Sequence, residues 1–353
     1  MMSRIKSRIS KTFFKVPRRK DKVLLCTCVS VVCVLYYIFS VGDYVLAKSY
    51  DKHFDYPLNI DIRPLVEQII SGGNPRIPKP INFYPYKFLT NSGKCKTIEK
   101  LDLFIVVKSA MQNFGHRAAI RQTYGQDNII PGRIVKTLFF LGISSHPKGE
   151  IQKQIDAEIA KHKDIIQIDF HDHYFNNTIK TMTSFRWLYE HCSTADFYLF
   201  TDDDMYISVN NLIDYLDDKM QFKRRPLQGD HFYAGYVFES RPLRHKISKW
   251  RVSLDEYPWD KWPPYVTAGA YVISNKSMKY LYVGSMFVKH FRFDDVYLGI
   301  VAKKLGIEVT HCPQIHFYNK KYSKEGYKDV IAAHGFHDHD ELLRVWREQN
   351  TII

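Results

Sequence analysis

Short apolar runs alternate with helix-like segments along most of the chain. The runs at 101–107 and 134–143 are typical of strands that are buried on both faces. Isoleucines recur every fourth position in 151–163, which predicts one face of a helix. Further strands are predicted at 164–170 and 197–207. This alternation predicts an α/β fold with a mostly parallel central sheet, whose ligands bind beyond the carboxyl ends of the strands.

A long uncharged segment at residues 23–41 precedes this pattern. At about 1.5 Å per residue, a helix of this length just spans the ~30 Å hydrocarbon core of a bilayer. We interpret it as a transmembrane signal anchor. A cleaved signal peptide is the alternative, but the segment exceeds the usual h-region and no clear cleavage site follows. The basic segment 1–22 then predicts a cytoplasmic tail and a lumenal body, the type II arrangement.

The segment between the anchor and the periodic body, residues 42–98, lacks sustained periodicity and contains six prolines. Such a composition predicts a stem that holds the body away from the membrane. The remaining residues, 99–353, carry the alternating strands and helices and are predicted to form one catalytic domain.

The composition is that of a folded protein, with 45% hydrophobic and 25% charged residues among 353. The net charge of +14 first suggests a nucleic-acid partner. However, residues 1–22 hold nine Lys or Arg against one acid, so most of the excess lies in the tail. The charge of the body therefore argues against nucleic-acid binding.

Cysteines and sequons agree with a lumenal body. Three of the six cysteines lie in the apolar segment, which leaves Cys95, Cys192 and Cys312. In an oxidising lumen these permit one disulfide and one free thiol, and the sequence does not choose the pair. Asn176 and Asn275 begin N-x-S/T sequons and are candidate glycosylation sites.

Three adjacent carboxylates, Asp202 to Asp204, directly follow the apolar run FYLF. Their mutual repulsion calls for a compensating cation, and oxygen ligands at this density suit Mg²⁺ or Mn²⁺. A solvated turn or a helix-capping cluster is the alternative interpretation. Because the acids come directly off a buried strand, we favour a metal site.

Other candidate residues carry weaker signals. Asp294 and Asp295 open a predicted helix, where they either cap its N-terminus or supply a general base. Arg117 and Arg121 lie one helical turn apart and are spaced to clamp phosphates, although an exposed basic helix face has the same spacing. His334 is a candidate imidazole ligand for a metal ion.

Six sequence blocks occur in a fixed order over about 200 residues, and together they are more specific than any single motif. They are RAAIRQTYG, FFLG, DFHDHYFNNTIKTMTSFRWLYEHC, FYLFTDDDMYI, PPYVTAGAYVIS and FDDVYLGIVAKKLGI. This series resembles glycosyltransferase family 31, the β-1,3-galactosyltransferase and β-1,3-N-acetylglucosaminyltransferase group. The resemblance covers roughly residues 95–342.

The resemblance implies a GT-A fold, a Rossmann-like α/β domain that binds a UDP-sugar with Mn²⁺. The family's DxD element falls on Asp202 to Asp204. By this correspondence Asp204 is the direct metal ligand, Asp202 lies at the metal and nearer the ribose or sugar, and Asp203 contributes to cofactor binding. His334 matches a C-terminal histidine that serves as a further metal ligand in such enzymes.

The same resemblance carries the remaining site residues. Arg117 and Arg121 match an R-x-x-I-R block near the nucleotide. Asp172 and Lys180 match a D-x-Y-x-N-x-T-x-K block beside the uridine diphosphate. Asp294 and Asp295 fall on the family's E/D-D-V motif, which holds the catalytic base. The resemblance therefore implies that the base is Asp295 or Asp294.

The implied function is inverting transfer of a hexose, with galactose favoured, from a UDP-sugar to the 3-hydroxyl of an acceptor sugar. Transfer of N-acetylglucosamine or N-acetylgalactosamine is the main alternative. An inactive glycosyltransferase-like chaperone is less favoured because both acidic motifs are intact, and a metal-dependent phosphoester hydrolase is less favoured because of the family blocks. The expected location is the Golgi membrane, and the expected acceptor is a glycan on lipid or protein. A homodimer is compatible with this interpretation.

Five aromatic residues are candidates for stacking on sugar rings in an acceptor pocket, and core packing explains them equally well. They are Tyr257, Trp259, Trp262, Tyr265 and Tyr271.

Overall fold

The computed structural model describes most of the chain and divides it into two compact units. One unit is built from the chain up to Phe54 together with residues 241–261, and the other from residues 55–240 together with the chain from Trp262 onward. The described residues are 19–74, 79–95, 100–144, 146, 149–223 and 230–350, with the side chains of 21, 53 and 220–223 left out.

Helices and strands alternate through the larger unit, as the apolar pattern predicts. Over the described ranges, the α-helices are α1 (Arg19–Ile38), α2 (Val41–Leu46), α3 (Tyr50–His53), α4 (Arg63–Ile70), α5 (Phe114–Gln122), α6 (Glu150–His162), α7 (Asn177–His191), α8 (Val209–Lys223), α9 (Asn275–Ser285), α10 (Asp294–Leu305) and α11 (His339–Asn350). The strands are β1 (Leu101–Lys108), β2 (Val135–Ile143), β3 (Ile165–His171), β4 (Ala195–Asp202), β5 (Met205–Ile207), β6 (Tyr233–Phe238), β7 (Tyr265–Ser274), β8 (Thr310–His311), β9 (Ile315–Asn319) and β10 (Ala332–His334).

The central sheet has the strand order β3-β2-β1-β4-β7-β6-β8. Strands β1 to β4 run parallel to one another, whereas β7 is antiparallel to β4 and to β6. The predicted α/β class with a mostly parallel sheet is therefore confirmed. The core strands β1 and β2 are buried along nearly their whole length, which explains why their sequences are continuous apolar runs.

Strand order reverses at β1, because β2 and β3 lie on one side of it and β4 on the other. The carboxyl ends of β1 and β4 are adjacent, and Lys108 is the register partner of Asp202. Ligands in such sheets bind in the crevice at this kind of reversal. The acidic motif at the end of β4 therefore lies where the topology favours a site.

The single strand predicted at 197–207 is wrong in one respect, since the structure divides it. β4 ends at Asp202, and β5 begins at Met205 in a second sheet of order β5-β10-β9. The acids in the turn between them move the chain from one sheet to the other. In the second sheet, β10 pairs antiparallel with β5 and sets His334 opposite Met205.

The predicted stem is only partly a spacer. Residues 55–95 belong to the larger unit, where Ile81 and Asn82 donate backbone hydrogen bonds to the carbonyl of Met286. Cys95 forms a disulfide with Cys192, with a Cα–Cα distance of 5.4 Å. The described part of this segment is thus packed against the catalytic body rather than extended from it.

The apolar segment predicted as a transmembrane anchor forms most of α1, which begins at Arg19 and ends at Ile38. Across the ranges that the structure describes, we find no helix with both the length and the apolar character needed to cross a membrane. The single transmembrane helix predicted at 23–41 is therefore not supported by the structure.

Candidate active site

A buried lysine joins the two acidic motifs. Lys108, the last residue of β1, places its Nζ atom 3.1 Å from Oδ1 of Asp202 and 2.8 Å from Oδ2 of Asp294. Its side chain is only 3% exposed. Burial alone would lower the pKa of this lysine, but the two carboxylates outweigh that effect and raise the pKa. The lysine is therefore a permanent cation between the motifs.

Asp294 is held in its charged form by the groups around it. Burial pushes the pKa of Asp294 upward, but the charge and hydrogen bond of Lys108 and a hydrogen bond from Thr181 bring it below its usual value. The Thr181 hydroxyl donates to Oδ2 at 2.7 Å, and so does the lysine at 2.8 Å. This carboxylate is thus occupied by protein groups.

Asp295, its neighbour at the start of α10, has the opposite electrostatics. Burial and the adjacent negative charge of Asp294 raise the pKa of Asp295 to about 7. Its Oδ1 atom accepts a hydrogen bond from the backbone nitrogen of Val296. A carboxyl group with such a pKa exchanges protons near neutral pH, which is what a general base requires.

The first acidic motif contains a carboxylate with an unfilled hydrogen-bonding position. Oδ2 of Asp204 lies 3.2 Å from Nε2 of His334 and 3.5 Å from Nδ1 of His337. Its Oδ1 atom is buried without a hydrogen-bond partner. A buried carboxylate oxygen without a partner destabilises the folded protein unless an additional group binds there.

The candidate metal ligands from the sequence are thus partly assembled. Asp204 and His334 are in contact, and Asp202 is the last residue of β4, two positions before Asp204. Burial raises the pKa of Asp202 to about 6, against the lowering effect of Lys108. Among the described residues, however, no group of three or more His, Cys, Asp or Glu is arranged to hold a metal ion by itself.

Asp203 points into the protein rather than toward these groups. It is 7% exposed, and its Oδ2 atom accepts hydrogen bonds from the Ser109 hydroxyl at 2.6 Å and the Asn113 amide at 3.0 Å. This carboxylate therefore fixes the loop that follows β1. Its predicted role in cofactor binding is not what the geometry favours.

The two arginines predicted to clamp phosphates are paired inside the protein. Arg117 is fully buried and bonds to Glu158, to the Ser109 hydroxyl and to the carbonyls of Ala110 and Met111. All of its N–H groups are engaged, which argues against direct phosphate binding. Its observed contacts hold the loop that Asp203 also contacts.

Arg121 is similarly committed to internal ion pairs. Its guanidinium donates to both carboxylate oxygens of Asp164 and to Glu158, at 2.6 to 2.9 Å. The one-turn spacing of the two arginines therefore places them around a shared glutamate.

Asp172 and Lys180 form an ion pair, with Nζ 2.8 Å from Oδ1. Asp172 also accepts a hydrogen bond from the backbone nitrogen of Gly142, and Lys180 donates to the carbonyl of Ser109 at 2.8 Å. Lys180 therefore braces the loop after β1, Asp172 braces the backbone of β2, and the ion pair joins the two.

The two sequons are both bonded to the protein. Asn176 donates its side-chain amide to the carbonyl of His171. The Asn275 amide donates to the carbonyls of Ser193 and Ala195, and Ser277 of its sequon is fully buried. The geometry at Asn275 disfavours glycan attachment, because the acceptor nitrogen is held in place.

Most of the five candidate stacking aromatics belong to the core. Tyr257, Trp259, Trp262 and Tyr271 are between 0 and 6% exposed, and Tyr265 is partly buried. Core packing, the alternative given with the sequence, is therefore the better explanation for four of them.

Sequence reasoning missed Lys108 and Thr181, the residues that connect the acids. A charge at the end of the buried run LDLFIVVK was a usable signal for the lysine, because a buried strand rarely ends in an unpaired cation. The threonine carries no comparable signal, since its partner is distant in sequence.

Comparison with known proteins decides the family. A family model described as Galactosyltransferase matches residues 115–313, more than half of the chain. The chain belongs to the galactosyltransferase family. The resemblance to glycosyltransferase family 31 is thereby confirmed, and the protein is a glycosyltransferase.

Several relatives support this assignment. The chain is 37% identical to "Beta-1,3-galactosyltransferase brn" of Drosophila melanogaster over 333 residues, which cover 93% of this chain and 97% of the relative. It is 34% identical to "Beta-1,3-galactosyltransferase 5" of Homo sapiens, over 69% of this chain and 77% of the relative. The solved galactosyltransferase LgtC is 13% identical, with a TM-score of 0.36 over 71% of this chain and 97% of that one, which is too low to support an inference.

Proposed function

We propose that this glycosyltransferase moves a hexose, with galactose favoured, from a UDP-sugar to the 3-hydroxyl of an acceptor sugar in a β-1,3 linkage. The observation that carries the proposal is the contact of Lys108 with both acidic motifs. Lys108 and Asp202 lie at the carboxyl ends of the parallel strands β1 and β4, and Asp294 begins α10. Similarity to relatives named β-1,3-galactosyltransferases supports the linkage and the choice of galactose. An N-acetylhexosamine donor remains the alternative within the same reaction class.

The general base in this proposal is Asp295. Asp294 already accepts hydrogen bonds from Lys108 and Thr181 at its Oδ2 atom, and these contacts hold it in the charged form. Asp295 instead has a raised pKa of about 7, which suits proton abstraction near neutral pH. The fixed negative charge of Asp294 contributes to that raised pKa and so keeps its neighbour basic.

Bond changes follow from this assignment. The acceptor's 3-oxygen attacks C1 of the donor sugar from the face opposite UDP, and its proton passes to Asp295. The bond between C1 and the phosphate oxygen breaks, and its electron pair leaves with UDP. One displacement inverts the α-linked donor into a β-linked product.

Asp204 and His334 would hold a Mn²⁺ ion, with Asp202 as a further ligand. The orphaned Oδ1 of Asp204 supports this assignment, and a mixed carboxylate and imidazole set is chemically compatible with Mn²⁺. Divalent ions at nucleotide sites commonly complete their coordination with substrate phosphates and water, so the two or three protein ligands available here suffice. The bound ion would supply positive charge beside the diphosphate leaving group.

We place this activity in the lumen of the Golgi, acting on glycans of lipids or proteins. The disulfide between Cys95 and Cys192 supports an oxidising compartment, because such bonds are rare in the cytosol.

The test is thermal unfolding of the full chain with Mn²⁺ and a panel of UDP-sugars, with and without EDTA. We expect UDP-galactose to raise the Tm only when metal is present, and Asp204→Asn to abolish that shift. A shift with UDP-N-acetylglucosamine or UDP-N-acetylgalactosamine instead would reassign the donor. No shift with any donor, in folded protein, would favour the inactive chaperone.

A further inference from the structure

The segment Arg241–Arg251 presents cations and large apolar side chains together. It contains five Lys or Arg and no acid. Leu243, Ile247 and Trp250 are 39, 78 and 46% exposed. Such interleaving of bulky apolar groups with cations is typical of surfaces that meet lipid.

A buried arginine fixes the shape of this segment from inside. Arg244 is 1% exposed and donates to the carbonyls of Val252, Ser253, Tyr257 and Trp259, at 2.8 to 2.9 Å. These four bonds commit one of the five cations to holding the loop. The outward apolar and basic groups are therefore displayed on a braced backbone.

The segment also contacts the end of the apolar helix α1. The backbone nitrogen of Lys246 donates to the carbonyl of Ile38 at 3.0 Å, and its Nζ lies 3.1 Å from the centre of the Tyr37 ring. His245 packs edge-on against Phe39, with ring centres 5.5 Å apart. The exposed surface of Arg241–Arg251 is thus continuous with that of the helix.

The helix is apolar around its circumference, which favours lipid over a protein partner. Val23, Leu24 and Leu25 are each at least 60% exposed, although successive helix residues point about 100° apart. A second protein chain would cover only one stripe of such a helix and would leave its other apolar directions exposed to water. Aromatic rings beside cations at one end match the residues enriched where membranes meet water.

From these contacts we propose that the segment Arg241–Arg251 binds to the surface of a phospholipid bilayer. Ile247 and Trp250 enter the boundary between headgroups and acyl chains, and Lys246 and Lys249 lie at the level of the phosphates. Binding at the membrane interface does not require a helix that crosses the membrane. It is also independent of the proposed sugar transfer.

Tryptophan fluorescence tests the position of Trp250 directly. The full chain is reconstituted into vesicles of phosphatidylcholine and phosphatidylserine, in which part of the lipid is brominated near the headgroup. We expect the bromines to quench the wild-type emission and Trp250→Phe to lose that quenchable component. Trp346→Phe, in the larger unit, is the matched control and should retain it. An unchanged Tm in both variants shows that they are folded.

The cations are tested with a paired substitution. Lys246→Gln with Lys249→Gln should weaken quenching of Trp250, because each basic residue near an anionic surface contributes about fivefold to the binding equilibrium. Lys320→Gln with Lys321→Gln removes the same charge elsewhere and should leave quenching unchanged.

Two results would overturn the proposal. The first is wild-type emission that brominated lipid does not quench. The second is disulfide cross-linking between two copies of an Ile247→Cys variant in vesicles, since it would show that a second copy of the chain covers this surface.

Discussion

The two acidic motifs contain similar groups but lie in different surroundings. In the turn after β4, Asp203 is committed to the loop that follows β1, while Asp204 retains an oxygen without a partner. At the start of α10, Asp294 is committed to Lys108 and Thr181, while Asp295 keeps a pKa near 7. In each motif, therefore, one carboxylate is bonded to neighbouring protein groups and another remains available to bind a ligand or a proton.

The largest expected effect comes from removing the proton acceptor. Asp295→Asn should lower the transfer rate by about 10² to 10⁴, the usual contribution of a general base. Binding of the UDP-sugar should persist, because the nucleotide is assigned to the other motif. The rate is measured by product formation and binding by the Tm shift with donor. A near-wild-type rate would remove Asp295 from this role.

Removing the cation between the motifs should damage stability in addition to activity. Lys108→Met leaves the buried carboxylate of Asp294 without its cation, and loss of a buried partner typically costs about 3–5 kcal/mol in the free energy of unfolding. The measurement is urea unfolding. Lys100→Met is the control, since Lys100 is 68% exposed and its pair with Asp196 should contribute less than about 1 kcal/mol. Equal effects of the two substitutions would contradict the buried bridge.

A smaller effect is expected from the hydroxyl on Asp294. Thr181→Val removes a hydrogen bond to a charged group, worth about 1.5–3 kcal/mol, while preserving the shape of the side chain. It should raise the pKa of Asp294 and shift the pH–rate profile, which a change in packing alone would not do. Thr183→Val, whose hydroxyl donates to the Ile179 carbonyl of its own helix, is the matched control and should leave the profile unchanged.

The smallest effect is the pH dependence itself. Because Asp295 must lose its proton before it can accept another, kcat/KM should rise with pH and level off above about 7. The raised pKa of Asp295 also opposes folding. Between about pH 4 and pH 7, Asp295 keeps its proton in the folded state but has lost it in the unfolded state. The free energy of unfolding therefore falls as pH rises through that range. A flat profile across this range in the wild type would separate Asp295 from the rate.

Much of the fold follows from local pattern, whereas the site depends on pairing between distant residues. The buried runs predicted β1, β2 and β3 to within a residue or so, because strands buried on both faces need continuous apolar sequence. The division of 197–207 was missed because both halves are apolar. No local pattern shows that the chain changes sheets between them.

The same limit applies to individual site residues. The spacing of Arg117 and Arg121 is identical for phosphate binding and for a pair around Glu158, and only the fold decides between them. Asp203 looks like its neighbours in the sequence, but the turn rotates it toward Ser109. Residue type and position in an element were therefore predictable, whereas the direction of each side chain was not.

Hydrogen bonds connect Glu158 to Arg117, Arg117 to Ser109, and Ser109 to Asp203 in the acidic turn. A substitution at Glu158 can therefore alter the position of that turn. A natural variant at Glu158, on a helix that supplies no candidate catalytic group, would therefore release a buried arginine against the loop beneath the site. In a survey of inherited variation such a change would be read as a mild surface substitution. The structure instead predicts that it leaves the buried charge of Arg117 without its partner, which is strongly destabilising.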